Sequence, residues 1–138
     1  MRTNPGQNFL PLPKIVSGGE LSRISLALQV ITAQKENTPT LIFDEVDTGI
    51  GGKTADIVGQ LLRRLGEKVQ VLCITHLPTI AAKAHHHFKV EKNIHKNAAT
   101  VTIQALTPTQ RIEEIARMLG GVKITQKTLA HAEELLIS

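Results

Sequence analysis

Two short apolar runs, TLIF at 40–43 and VQVLCIT at 69–75, stand on either side of a stretch with helical periodicity, and this order constrains the fold more than any other feature. The second run is rich in β-branched residues, and both are short and continuous, so both are expected as buried strands of a mainly parallel sheet. Between them, KTADIVGQLLRRLG (53–66) sets Ile57, Leu61, Leu62 and Leu65 at helical spacing, with Gly66 as the expected C-cap. Strand, helix, strand is by default a right-handed crossover, which makes the fold class α/β.

The flanking sequence fits that frame. Residues 1–16 carry Pro5, Gly6, Pro11 and Pro13, so they are expected as an irregular connector. From Leu21, just after SGGE, Leu21, Ile24, Leu28 and Ile31 form the apolar stripe of a helix of about four turns. Downstream, a short helix is expected from Pro78 to Ala84, then a hairpin of HHFKVEK and TVTIQAL turning around Lys96 and Asn97. Two helices follow, 108–119 closed by Gly120 and Gly121, and 125–136. The reading is one domain over 17–138: a mainly parallel sheet flanked by helices, with an added antiparallel hairpin.

Composition narrows the function classes. The 138 residues are 41% hydrophobic but only 2% aromatic, with no Trp or Tyr, so the core is aliphatic and stacking on nucleic-acid bases is a poor binding mode. A net charge of +4 is compatible with a polyanionic partner and equally with an ordinary soluble protein. Cys73, inside VLCIT, reads as a small buried hydrophobe in a reducing compartment. No apolar run approaches the roughly 20 residues that cross a bilayer, and MRTNPGQNF does not form a secretory leader, so the expected location is cytosolic.

Two motifs carry chemistry. DTGIGGKT (47–54) ends like a phosphate loop, G-x-x-x-x-G-K-[ST], but Asp47 occupies its first place, and Asp44, Glu45 and Asp47 would repel phosphate. LIFDE (41–45) instead has the order of a Walker B segment, an apolar strand ending in one carboxylate near Mg²⁺ and another that polarises water. The bland alternative is that the paired acids cap the next helix. SGGE (17–20) puts a hydroxyl and two glycines at a helix N-terminus, an anion site or else a flexible turn with an N-cap.

VSGGELSR, TLIFDEVD and CITH, in this order and at these separations, resemble the C-terminal half of an ABC-type ATPase head of the SMC class, and the longer agreement resembles its bacterial DNA-repair members. The resemblance runs from about Asn4 to the end. It implies that Ser17, Gly18 and Gly19 are the signature motif, contacting the γ-phosphate of ATP held by a partner head. Asp44 would hold Mg²⁺ through water, Glu45 would be the general base, and His76 the switch histidine. Asp47, Thr48 and Gly49 would lie in or beside the D-loop at the dimer interface, with Gly51 where many SMC heads have an aspartate. The implied role is double-strand break repair by a homodimer of heads acting on DNA in the bacterial cytoplasm, near the nucleoid.

No G-x-x-x-x-G-K-[ST] occurs in these residues, so the chain is expected to be inactive without the N-terminal Walker A lobe that the class carries across a coiled coil. Two other readings stay open: a self-contained phosphate-loop NTPase using Lys53, and a non-catalytic docking module. His85, His86 and His87, with His95 nearby, suggest a metal site, but strand neighbours point to opposite faces, so a solvated junction is expected. Lys83, Lys89, Lys92 and Lys96 form a basic run that could meet DNA phosphates or simply be solvated.

Overall fold

A computed structural model of the chain describes residues 38–44, 46–95, 98–121 and 123–137. The connector 1–16, the helix from Leu21, Ser17, Gly18, Gly19, Glu45, and the Lys96–Asn97 turn lie outside the described residues.

Strand β1 (Thr40–Phe43) runs parallel to β2 (Gln70–Cys73), with Thr40 opposite Gln70 and Phe43 opposite Cys73. Helix α1 (Gly52–Gly66) links them, so the strand–helix–strand unit is as expected. Its phase is not the one anticipated. The buried stripe is Ala55, Val58, Leu62 and Leu65, while Ile57 is 57% exposed and Leu61 half-buried. At 100° per residue, Ala55 and Val58 share a face with Leu62 and Leu65, and Ile57 sits well off it. Small residues won the core face because α1 packs closely on helix α2 (Pro78–Lys83): a Cβ on Gly59 would meet Lys83 Cγ at 2.9 Å and Ile80 Cα at 3.3 Å. Gly66 is also not a left-handed cap; it ends the helix, and Glu67 caps it in right-handed conformation with φ −74°.

The β1–β2 pair is buried on one face only. Phe43 (3% exposed) packs on α1, while Ile42 (67%), Leu72 (45%) and Ile74 (60%) share the open face. The expectation of fully buried strands therefore fails among the described residues, where helix α1 covers one side.

Beyond α2, β3 (Phe88–His95) and β4 (Ala98–Ala105) pair antiparallel as anticipated, Phe88 opposite Ala105 through to His95 opposite Ala98. Alternation sorts Lys89 and Glu91 to one face and Phe88, Val90, Val101 and Ile103 to the other, where those four are 56–69% exposed. Helix α3 (Pro108–Gly120) opens with a capping box: Thr107 Oγ1 accepts from Gln110 N–H, and Gln110 Oε1 accepts from Thr107 N–H. It closes on Gly121 at φ 68°, whose N–H donates to Arg117 O, so the paired glycines end the helix as expected. Helix α4 (Gln126–Ile137) completes the chain.

Helix α2 bridges two cores. Ile80 belongs with Phe43, Ala55, Val58, Leu62 and Leu65, whereas Ala81 and Ala82 pack with Ile115, Ala116 and Ala132 of α3 and α4. Its C-terminal carbonyls are gathered by arginines from two other helices. Arg111 Nη2 donates to Ala82 O (2.8 Å), Ala84 O (2.5 Å) and, more weakly, Ala81 O (3.4 Å), and Arg63 Nη1 donates to Lys83 O (2.8 Å).

Candidate active site

Parallel pairing delivers two chain segments to one sheet edge. Ile74 N–H donates to Phe43 O at 2.9 Å, so the ladder runs one residue past the end of β2, and Asp44 and Thr75–His76 follow directly on the paired strand ends. Asp44 is exposed there. The chain then turns through Val46–Gly49, closed by Ile50 N–H on Asp47 O (3.2 Å), with Gly49 at φ 71°, a value that suits glycine.

Asp47 turns inward. It is 3% exposed, and its Oδ2 accepts from Thr75 Oγ1–H (2.5 Å) and His76 N–H (2.7 Å), with His76 Nδ1 at 2.9 Å. Thr75 Oγ1 in turn accepts from Leu77 N–H at 3.1 Å. Burial alone would raise the Asp47 carboxyl pKa, but the bonds from Thr75 and the His76 backbone, and the nearby imidazole, lower it overall, so the group is a carboxylate at neutral pH. A carboxylate has no proton to give, so His76 Nδ1 is the donor. That leaves Nε2, on a side chain 76% exposed, as the ring nitrogen without a partner among the described residues.

Of the residues expected in the D-loop region, Thr48 and Gly49 are exposed, whereas Asp47 is locked to the end of β2. Gly51 is extended (φ −170°) with open space around it, so no backbone demand explains its glycine, while Gly52 needs φ 51°. Lys53 is exposed at the start of α1. The first place of the loop-like DTGIGGKT is thus filled by a carboxylate tied to the neighbouring strand end. Thr75 is the residue to which sequence reading gave no role; its signal was its place between the apolar run and His76.

The remaining sequence candidates separate. His85 and His86 are exposed and His87 is half-buried; all three precede β3, and no group of three metal-ligating side chains gathers among the described residues. Burial, then the nearby Arg111 charge, lowers the His87 pKa, against an opposing pull from Glu114. The basic run breaks up as well. Lys83 is buried, its Nζ 3.3 Å from Asp56, and Lys89 pairs with Glu91 (2.6 Å) and Glu114 (3.5 Å), which leaves exposed Lys92 as the described remainder. Burial, then the Asp47 charge, pushes the Cys73 thiol up to about 11, in keeping with a protonated, hydrophobe-like cysteine. Among the described residues no helix is long and apolar enough to cross a membrane.

Comparison with known proteins gives this edge a setting. No protein-family profile matches the chain. The chain is 58% identical over 136 residues to the DNA repair protein RecN of Vibrio cholerae and 55% identical over 136 residues to that of Haemophilus influenzae, with 99% of the chain matched in each. It is also 48% identical over 133 residues to RecN of Deinococcus radiodurans. Over nearly its whole length the chain matches one segment of RecN proteins. It spans about a quarter of the length of these relatives (24%, 24% and 23%). Two solved structures share the fold of this RecN-like segment. An SMC ATPase from work on ATP-driven dimerization and DNA-stimulated activation matches with TM-score 0.62 and 18% identity, over 80% of this chain and 66% of that one. The Smc head domain of Pyrococcus yayanosii, with its coiled coil and joint, matches at 0.61 and 20%, over 74% of this chain and 19% of that one. The α/β architecture is therefore that of an SMC ATPase head.

Proposed function

We propose that the chain is the C-terminal lobe of an SMC-like ATPase head that serves DNA double-strand break repair and recombination. The observation that carries this is the shared edge: Asp44 leaves β1 and His76 leaves β2 where the parallel strands end together, the edge at which open parallel sheets bind ligands. An exposed carboxylate at such an edge suits a hard cation, so Asp44 holds Mg²⁺ through water. The ion supplies charge neutralisation at the phosphates. Glu45, next in sequence, takes the proton of the attacking water, and His76 meets the γ-phosphate through Nε2.

Ser17, Gly18 and Gly19 of one head reach the ATP of a partner head, while Thr48 and Gly49 lie along the interface of the homodimer. DNA is the macromolecular partner of the full-length protein, which works in the bacterial cytoplasm at the nucleoid. The Walker A lobe completes each site, so the 138-residue chain alone turns over no ATP.

The test is ATP turnover by this chain alone, after addition of the separately expressed Walker A lobe, and with Glu45→Gln. Silence alone, turnover on mixing and its loss in Glu45→Gln are expected. ATP binding by the isolated chain that disappears in Lys53→Ala overturns the reading.

A further inference from the structure

We infer that Asp47 is a positioning residue: its carboxylate holds the switch histidine and ties the loop after β1 to the loop after β2, and it does not itself touch nucleotide. This rests on the ATPase reading above for what His76 does, and on geometry alone for what Asp47 does. Burying a carboxylate is costly unless its oxygens are satisfied. Asp47, at 3% exposure, satisfies Oδ2 with the Thr75 hydroxyl, the His76 N–H and the His76 ring, all from the end of β2. Its neighbours Asp44 and Thr48 are exposed, so the chain has turned this one side chain away from the surface where a phosphate would sit.

The consequence for His76 is chemical. Taking the Nδ1 proton's hydrogen bond fixes the neutral tautomer, with the Nε2 lone pair facing outward. In this tautomer Nε2 is an acceptor, and it donates to a phosphate oxygen only when the ring carries a second proton. Thr75 extends the linkage, because its hydroxyl donates to Asp47 and accepts from Leu77 N–H, the N-cap residue of α2. A shift of the Val46–Gly49 turn is therefore transmitted to His76 and to the entry of α2.

The experiment uses the full-length RecN-like protein that carries this segment. Asp47→Asn keeps the volume and an acceptor oxygen but removes the charge. Its kcat for ATP is expected to fall about 10- to 100-fold, the usual cost of losing an orienting partner, with KM nearly unchanged. Thr75→Val is a second variant expected to lower kcat, and Thr75→Ser is expected to restore it. Adding Asp47→Asn to His76→Ala should cause almost no further loss, because the effect passes through the ring. Independent, multiplying losses overturn the inference, as does an Asp47→Asn variant that raises KM at unchanged kcat. The ¹⁵N shifts of His76, assigned by loss in His76→Gln, give a readout separate from turnover. They should report Nδ1–H in the parent protein and a shifted tautomer balance in Asp47→Asn; an unchanged balance overturns the inference. Should the parent protein show no Glu45-dependent turnover, the ATPase reading fails, and the tautomer measurement alone decides the role of Asp47.

Discussion

Gly51 and Gly52 are chain neighbours with opposite demands, and substitution separates them. Gly51 is extended, and a Cβ there would meet nothing within 4 Å, so Gly51→Ala is expected to stabilise by about 0.4–1 kcal/mol through loss of unfolded-state freedom. Gly52 sits at φ 51°, so Gly52→Ala is expected to cost about 1–2 kcal/mol. Urea unfolding of the two variants checks both, and a penalty at Gly51 equal to that at Gly52 would contradict the account. Cys73 gives a chemical prediction at the same scale. With its thiol pushed up to about 11, thiolate is scarce at neutral pH, so iodoacetamide should modify the folded chain far more slowly than the urea-unfolded one. The rate for the folded chain should climb steadily toward pH 11.

Among the elements, α2 has only six residues, too few to stand without help at its carbonyl end. Arg111 and Arg63 supply it, so Arg111→Met is expected to cost about 1.5–3 kcal/mol, the range for hydrogen bonds to a charged group, with a clear fall in Tm. In α3, Glu114 is buried and bonded by Arg117 (2.6 and 2.9 Å), with Lys89 near. The Arg117 hydrogen bonds outweigh burial and lower its pKa below the ordinary carboxylate value. Its contribution is therefore full above the unfolded pKa and is lost as pH falls through the lower folded one. Glu114→Gln should be less stable than the parent at pH 7, and the gap should close as the pH falls below the ordinary carboxylate range. The elements themselves were largely legible, because each rests on local period and punctuation: the capping box at Thr107, the glycines at 120 and 121, the alternation of β3 and β4. The phase of α1 and the use of Arg111 were not. Both depend on α2, which lies roughly 20 to 30 residues away in the chain, and local periodicity carries no information about such a neighbour.

For the whole molecule, the candidate site was legible in kind and not in arrangement. LIFDE and CITH named their residues because an acid pair and a histidine close the two apolar runs, but that Asp47 faces Thr75 and His76 follows from strand register, which one strand cannot reveal. The path of α2 has a consequence for how the molecule comes apart. Ile80 and Ala81 are adjacent on one short helix yet belong to different cores, so neither core can melt while α2 stays in place, and losing α2 strips a wall from both. Denaturation followed at an α1 probe and at an α4 probe should trace a single shared curve, and Ile80→Ala should shift both midpoints together. Two clusters joined by a single helical turn in this way form one cooperative unit, with α2 as its keystone.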